Sequence, residues 1–289
     1  MTLRSAIAES STHIAPRDAE TLLAHILQRD RAFILAHIDD PLSAEHLAQL
    51  RTLTTRRAAH EPLQHLTGEQ EFFGLTLRVT PDTLIPRPET ELLVEAVLHF
   101  VAEKPAPAHP LRIPVVALRI LDIGTGTGAI PIALVTHLPT AQLTAVDISP
   151  AALAIARENA TRHHVAERIR FVESDLLAAL PNQTFDIIVS NPPYVSLADA
   201  PTLAPEVRDH EPHLALFGRP EQNQDGLGIY RLLIPQAHAA LSPNGLLALE
   251  IGFGQSESIR TLLPETHWHN IRILNDYAAI PRIVLAIRP

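Results

Sequence analysis

From Leu118 to the C-terminus, short runs of β-branched and aliphatic residues alternate with stretches of helical periodicity, and this alternation narrows the fold more than any other feature. LRILDIG, AQLTAVDIS, RIRFVES and FDIIVS read as strands, and LLALEIG, NIRIL and RIVLAIR follow them. Helix-like segments come after Gly128, from Pro150, over 230–241 and after Gln255. Strands that alternate with helices give a mostly parallel α/β sheet covered on both faces. Such a sheet holds ligands beyond the carboxyl ends of its strands, where the strand order reverses. The ends of the first four runs are therefore where chemistry is expected.

The first run turns into its helix through Gly124, Thr125, Gly126, Thr127 and Gly128. Glycines allow the tight turn and let a ligand approach backbone with no Cβ in the way. Gly124, Gly126 and Ala129 also satisfy the dinucleotide pattern G-x-G-x-x-G/A, so the loop alone is not specific. The second run ends at Asp147, where a carboxylate can accept hydrogen bonds from two ribose hydroxyls. NAD and S-adenosylmethionine both carry such a ribose, and Asp147 does not choose between them. Ser149-Pro150 already supplies the cap for the following helix, so Asp147 is not needed for that. At the third end, Asp175 can accept from an adenine amino group, and Leu176 can cover the ring.

The fourth run ends in Asn191-Pro192-Pro193-Tyr194. Proline fixes its own φ and extends the residue before it, so this peptide is a stiff bracket facing the same crevice. A planar NH2 on a carbonyl or aromatic carbon is a poor nucleophile, because its lone pair is delocalised. The Asn191 side-chain oxygen and the Pro192 carbonyl are two fixed acceptors that can take its two N–H bonds, aim the nitrogen and stabilise the charge that grows on it. Pro193 keeps the acceptors in place, and Tyr194 can lie flat against the planar group.

Upstream, residues 2–60 show helical spacing, with Pro16 and Ser43 at expected helix starts and Glu61-Pro62 ending the last helix. QEFFGLTLRV reads as a hairpin around Gly74, and a helix with Glu89 and Glu91 in its first turn follows. EKPAPAHP at 103–110 reads as an extended insertion. The chain of 289 residues is expected to form a helical domain over 1–65, a hairpin linker over 66–85 and an α/β domain over 86–289.

Composition removes several alternatives. No cysteine means no thiolate metal site and no thiol nucleophile, and it suits a reducing cytoplasm. No run of about 18 apolar residues is present for a membrane span. The net charge of −9 opposes the footprint of a protein that grips nucleic acid through its phosphates. Arg51, Arg56 and Arg57 cluster on one helix and read as a solvated face. His210 with His213, and His267 with His269, have loose ligand spacing but no third and fourth ligand nearby, so no metal site is expected.

SNPPY at 190–194, after LDIGTGTGAI at 121–130 and AVDIS at 145–149, resembles the class I S-adenosylmethionine-dependent methyltransferases that modify amide or exocyclic amino nitrogens. EPLQHLTGEQEFFGL at 61–75 and TPDTLIPRPETELLVE at 80–95 are similar to the linker and lead-in helix of the release-factor glutamine methyltransferases, the PrmC/HemK family. EPHLALFG, DGLGIYR and LEIGFGQ also match that pattern. The resemblance implies a Rossmann-like sheet of seven strands, preceded by a small helical bundle and a hairpin linker. It implies methylation of the glutamine in the Gly-Gly-Gln loop of bacterial class I peptide-release factors, with S-adenosylmethionine as co-substrate and no metal. Carried over, Gly124 to Gly128, Asp147, Asp175, Leu176 and Asn191 would contact the cofactor. Asn191, Pro192, Pro193 and Tyr194 would hold the glutamine amide, and the helical N-terminal region would contact the release factor.

A cytoplasmic monomer without stable nucleic-acid or membrane binding is the expectation. Two departures stand out, the long stretch FGRPEQNQDG and the 103–110 insertion, and neither falls on the carried residues. Leu176 stands where that family often has an aromatic, which implies weaker stacking on adenine. Rival readings are an adenine-N6 DNA or RNA methyltransferase, for which the same bracket fits; a dehydrogenase, which leaves the bracket unexplained; and a non-catalytic cofactor-binding partner of the translation machinery.

Overall fold

The computed structural model describes residues 1–103, 117–219 and 221–289, so most of the expected 103–110 insertion lies outside the described residues. Two compact units emerge: residues 1–69 with 203–210, and residues 70–202 with 211–289.

The first unit is helical: α1 (Leu3–Ser10), α2 (Pro16–Leu27), α3 (Arg31–Ala36), α4 (Ala44–Ala58) and α5 (Leu63–Thr67). Starts are set by local chemistry. Thr2 and Ser5 form a capping box, Pro16 opens α2, the Asp30 side chain accepts from Phe33 N, and the Ser43 hydroxyl accepts from His46 N. Leu3, Leu22, Leu23, Ile34, Leu50 and Leu66 close a small core. The expected end at Glu61-Pro62 shifts: α4 stops at Ala58, and Pro62, extended at φ −56° and ψ 136°, precedes α5 instead. Arg51 pairs with Glu9 at 2.6 Å, Arg56 pairs with Glu61, and Arg57 reaches Asp18 at 2.7 Å and Glu206 at 2.6 Å. The arginine cluster is thus neutralised, carboxylate by carboxylate.

From Glu69, the last residue of the first unit's main segment, β1 (Glu69–Phe72) leads into the second unit, where with β2 (Leu75–Arg78) it forms the expected hairpin. Its two turn residues, Phe73 and Gly74, both have positive φ, as a tight turn of primed type requires. Then come α6 (Pro88–Glu103), β3 (Arg119–Ile123), α7 (Ala129–His137), β4 (Gln142–Asp147), α8 (Pro150–Arg162), β5 (Ile169–Glu173) and β6 (Phe185–Ser190). After α9 (Pro205–His210), which belongs to the first unit, follow α10 (His213–Phe217), α11 (Gly228–Ala240), β7 (Leu241–Glu250), α12 (Ser256–Thr261), β8 (His269–Asn275) and β9 (Pro281–Ile287).

The seven-stranded sheet runs β5-β4-β3-β6-β7-β9-β8. The first five run parallel to one another, and β9 is antiparallel to both β7 and β8. Central strands are buried on both faces, which is why they read as continuous apolar runs. Ile120 packs into the core with α6 and α7, whereas Leu121 and Ile123 pack into the core with α11 and Trp268. Strand order reverses between β3 and β6, whose ends are in register at Ile123 and Ser190, and the Ser190 hydroxyl donates to the Ile123 carbonyl at 2.7 Å. The glycine loop and the bracket therefore leave the sheet side by side.

Candidate active site

A crevice opens at that reversal, lined by Gly124, Gly126, Asp147, Ile148, Asp175, Leu176 and by Asn191, Pro192 and Pro193 among others. Gly124, Gly126 and Gly128 have φ of 74°, 53° and 80°. L-residues other than glycine adopt that region only with strain. The three differ in their surroundings. A Cβ on Gly128 would lie 3.1 Å from the Ala156 Cβ and 3.2 Å from Ile132, whereas one on Gly126 would meet nothing within 4 Å. Gly128 is needed for close helix packing, and Gly126 keeps the crevice floor open.

Asp147 accepts from Gly126 N and Ser149 N, one bond to each oxygen, both at 2.9 Å. Each oxygen keeps a lone pair, so the pattern suits two further donors such as vicinal hydroxyls. Burial raises the Asp147 carboxyl above its ordinary value, against the pull of its backbone donors. The helix cap falls to Ser149, whose hydroxyl accepts from Ala152 N at 3.2 Å. Asp175 lines the crevice and also pairs with Arg219 at 3.1 Å, and Leu176 lines it at φ 50°.

The bracket is tied down from behind. Asn223 donates to the Pro193 carbonyl at 3.3 Å and to the Phe217 carbonyl at 2.8 Å, and Gln255 donates to the Tyr194 carbonyl at 3.0 Å. Among the described residues nothing donates to the Pro192 carbonyl. Asn191 Nδ2 donates to the Thr90 hydroxyl at 3.1 Å, which leaves its Oδ1 as the second uncommitted acceptor. Tyr194 does not line the crevice. Its hydroxyl donates to Glu250 Oε1 at 3.3 Å, and burial beside Glu250 pushes its phenol well above its ordinary value. The long FGRPEQNQDG stretch thus reaches two carried residues, Asp175 through Arg219 and Pro193 through Asn223.

Several supporting residues escaped the sequence reading. Asn159, wholly buried on α8, accepts from Arg78 N at 2.7 Å and donates to the carbonyls of Arg78 and Thr127, binding the hairpin to the glycine loop. Glu211 accepts from Ile85 N at 3.2 Å and pairs with Arg87, holding the stretch before α6. Thr90 and Glu250 stand behind Asn191. For Thr90 and Glu250 the available signal was a polar side chain on an apolar helix face or at the end of an apolar strand, which marks burial but not the partner; Asn159 carried no such signal. His213 packs edge-on against Phe217, and His267 against His238.

Sheet order, glycine loop and acidic strand ends together define a class I methyltransferase. The T. thermophilus 16S rRNA N2 G1207 methyltransferase, solved with AdoMet and guanosine, matches at a TM-score of 0.52, 18% identity, covering 76% of this chain and 50% of that one. A methyltransferase from Pyrococcus furiosus matches at 0.51 and 16% identity, covering 83% and 97%. Family models for the methyltransferase small domain and the PrmC N-terminal domain match residues 111–206 and 2–68. The release factor glutamine methyltransferase of Geobacter sulfurreducens is 42% identical over 97% of this chain and 92% of its own length. That of Moorella thermoacetica is 42% identical over 100% and 99%. The chain belongs to the release factor glutamine methyltransferase family.

Proposed function

We propose that this enzyme methylates the side-chain amide nitrogen of the glutamine in the Gly-Gly-Gln motif of class I peptide chain release factors, with S-adenosylmethionine as donor. The observation that carries the reading is the pair of uncommitted oxygens at the bracket, Asn191 Oδ1 and the Pro192 carbonyl, beside a crevice that fits the donor. The residues present suit that molecule. Gly124 and Gly126 leave room for its polar end, Asp147 has lone pairs for ribose hydroxyls, Asp175 would be an acceptor for an adenine amino group, and Leu176 with Ile148 offers apolar cover. When bound, the donor supplies a methyl carbon on a positively charged sulfur.

The chain's own residues supply the rest. Asn191 Oδ1 and the Pro192 carbonyl accept the two amide N–H bonds and turn the nitrogen lone pair toward the crevice. They also stabilise the positive charge that the nitrogen acquires as the N–C bond forms and the S–C bond breaks, because both acceptors are oriented before substrate arrives; the methylated amide then gives up one N–H proton to solvent. Proline geometry and the Asn223 and Gln255 tethers hold them there. Tyr194, anchored on Glu250 through its hydroxyl, braces the bracket. The helical residues 1–69 are the proposed contact for the release factor. The enzyme acts as a cytoplasmic monomer without a metal.

Adenine in nucleic acid presents the same amino geometry, but the net charge of −9 and the neutralised arginines of α4 weigh against a phosphate backbone as partner. Purified enzyme, donor and a class I release factor, with duplex DNA in a parallel arm, decide the matter by mass spectrometry. One added methyl on the Gly-Gly-Gln glutamine is expected. Methylated adenine with unmodified release factor would overturn the assignment, and donor binding without any transfer would make the chain a binder.

A further inference from the structure

An asparagine amide has two ends of nearly equal shape, so nothing in the side chain itself decides which one faces substrate. At Asn191 the choice matters. With Oδ1 in the crevice it accepts an N–H of the substrate; with Nδ2 there, donor would face donor. The neighbours make the decision. Thr90, in the first turn of α6, donates its hydroxyl proton to Glu250 Oε2 at 2.6 Å. A hydroxyl has one proton, so with that proton committed the Thr90 oxygen can only accept, and the group it accepts from is Asn191 Nδ2 at 3.1 Å. Tyr194 donates to the other carboxylate oxygen at 3.3 Å. An ionised carboxylate has no proton to give, so it can only accept from both hydroxyls and holds both of their protons toward itself.

We propose that Thr90 and Glu250 are positioning residues that fix the Asn191 amide with its carbonyl oxygen toward the crevice. The inference rests on the reading that Asn191 holds the substrate amide. Thr90, Asn191 and Glu250 come from the start of α6, the end of β6 and the end of β7, and each is braced independently. Thr90 is buried, Asn191 is locked between Ser190 and Pro192, and Glu250 is 1% exposed with Tyr230 donating to its backbone carbonyl at 2.7 Å. Such a relay has a direction, from carboxylate through hydroxyl to amide.

Reversal of that direction follows from protonation. A protonated Glu250 would present an O–H, which could donate to Thr90. The Thr90 proton would then be free to turn toward Asn191 Oδ1, and the amide would turn its NH2 into the crevice. Burial pushes the Glu250 carboxyl up to about 7, reinforced by Glu89 on α6 and opposed by the Thr90 and Tyr194 hydroxyls and by Arg282 on β9. The competent state is the ionised one. Turnover is therefore present above that value and is lost as pH falls through it.

The test is steady-state methyl transfer to an intact class I release factor across pH, with donor affinity by calorimetry and melting temperature as controls of folding. Thr90→Val is expected to lower kcat roughly 10- to 100-fold, the scale of a misaligned reacting group, with donor affinity and release-factor KM within about threefold. Thr90→Ser, which restores the hydroxyl, is expected to return kcat to within about threefold of the parent. Glu250→Gln cannot titrate, so the acid limb of the pH profile disappears, while Thr90→Ser keeps it. Asn191→Ala separates the two claims. If it is inactive while Thr90→Val turns over like the parent, or if Glu250→Gln keeps the acid limb, the relay is wrong and the bracket stands. If Asn191→Ala itself turns over normally, the bracket reading falls and the relay with it.

Discussion

Asp122 and Glu250 are both wholly buried near the carboxyl edge of one sheet, and burial pushes both carboxyls up to about 7, yet their surroundings are opposite. Glu250 is met by two hydroxyls, from Thr90 and Tyr194. Among the described residues neither oxygen of Asp122 has a hydrogen bond of normal geometry, nor has the adjacent Thr125 hydroxyl. That hydroxyl is only close enough to lower the Asp122 carboxyl part of the way. Behind the bracket's two open acceptors the supporting side chains satisfy one another, so the acceptors are held in place before substrate arrives. The glycine-loop wall is built from backbone, and it leaves polar groups unmatched. A completed network fixes one arrangement of donors and acceptors, and an incomplete one leaves free energy for a ligand or water to recover.

The largest expected effect is on the completed side. Glu250→Ala removes the acceptor of two buried hydroxyls and opens a cavity, and it should lower stability by about 4 kcal/mol in urea denaturation. A loss no bigger than a surface substitution's would break the comparison, since the network would then hold nothing in place. Next in size is Gly128→Ala, which combines a φ of 80° with a Cβ 3.1 Å from Ala156. Left-handed strain and overpacking together should cost about 3 kcal/mol, against about 1 kcal/mol for Gly126→Ala, where only the strain applies. Thermal melts of the two variants side by side check the ordering.

Asp122→Asn sharpens the contrast because its sign is opposite. The folded carboxyl lies near 7 instead of its ordinary 3.8. Between those values the folded state keeps a proton that the unfolded chain has released, so the Asp122 contribution to stability falls as pH rises through this window and is flat above it. The shift corresponds to ~4 kcal/mol at pH above both values. Burying a neutral amide in the same place costs about 2 kcal/mol at every pH, so the variant should be more stable than the parent by about 2 kcal/mol at alkaline pH and less stable by about 2 kcal/mol near pH 4. Urea denaturation at the two pH values reads it directly. A destabilised variant at alkaline pH would mean that the ionised Asp122 is matched after all.

The same contrast explains what could be read from the sequence. The sheet, the glycine loop and the proline bracket are written in contiguous residues with their own periodicity or their own backbone restrictions, so they were legible before any coordinates. Thr90 and Glu250 are 160 positions apart, and Asn191 is 101 from Thr90. Nothing local in PETELL or LALEIG says that these polar side chains meet. Asn159 is similar: on a helix rich in polar residues it reads as solvated, and only the fold brings Arg78 and Thr127 to it. The antiparallel insertion of β9 between β7 and β8 was equally hidden, because strand order at a sheet's edge is decided by pairing between segments and not by either segment's pattern.

The smallest effect concerns Arg219, whose pairing with Asp175 reaches across the mouth of the glycine-loop wall. Both side chains are about half exposed, at 42% and 53%, so the pair should matter little to folding. Arg219→Ala is expected to change stability by less than about 0.5 kcal/mol, as exposed ion pairs generally do. Its effect on the donor is more telling. If Asp175 accepts the adenine amino group, Arg219 competes for the same oxygens, and its removal should leave affinity unchanged or strengthen it by up to about twofold, with the difference vanishing in high salt. Calorimetry at two ionic strengths measures this. A tenfold weakening would mean that the arginine itself touches the donor, in which case this wall is not made by backbone alone and the contrast with the bracket would have to be redrawn around the side chains of the 217–226 loop.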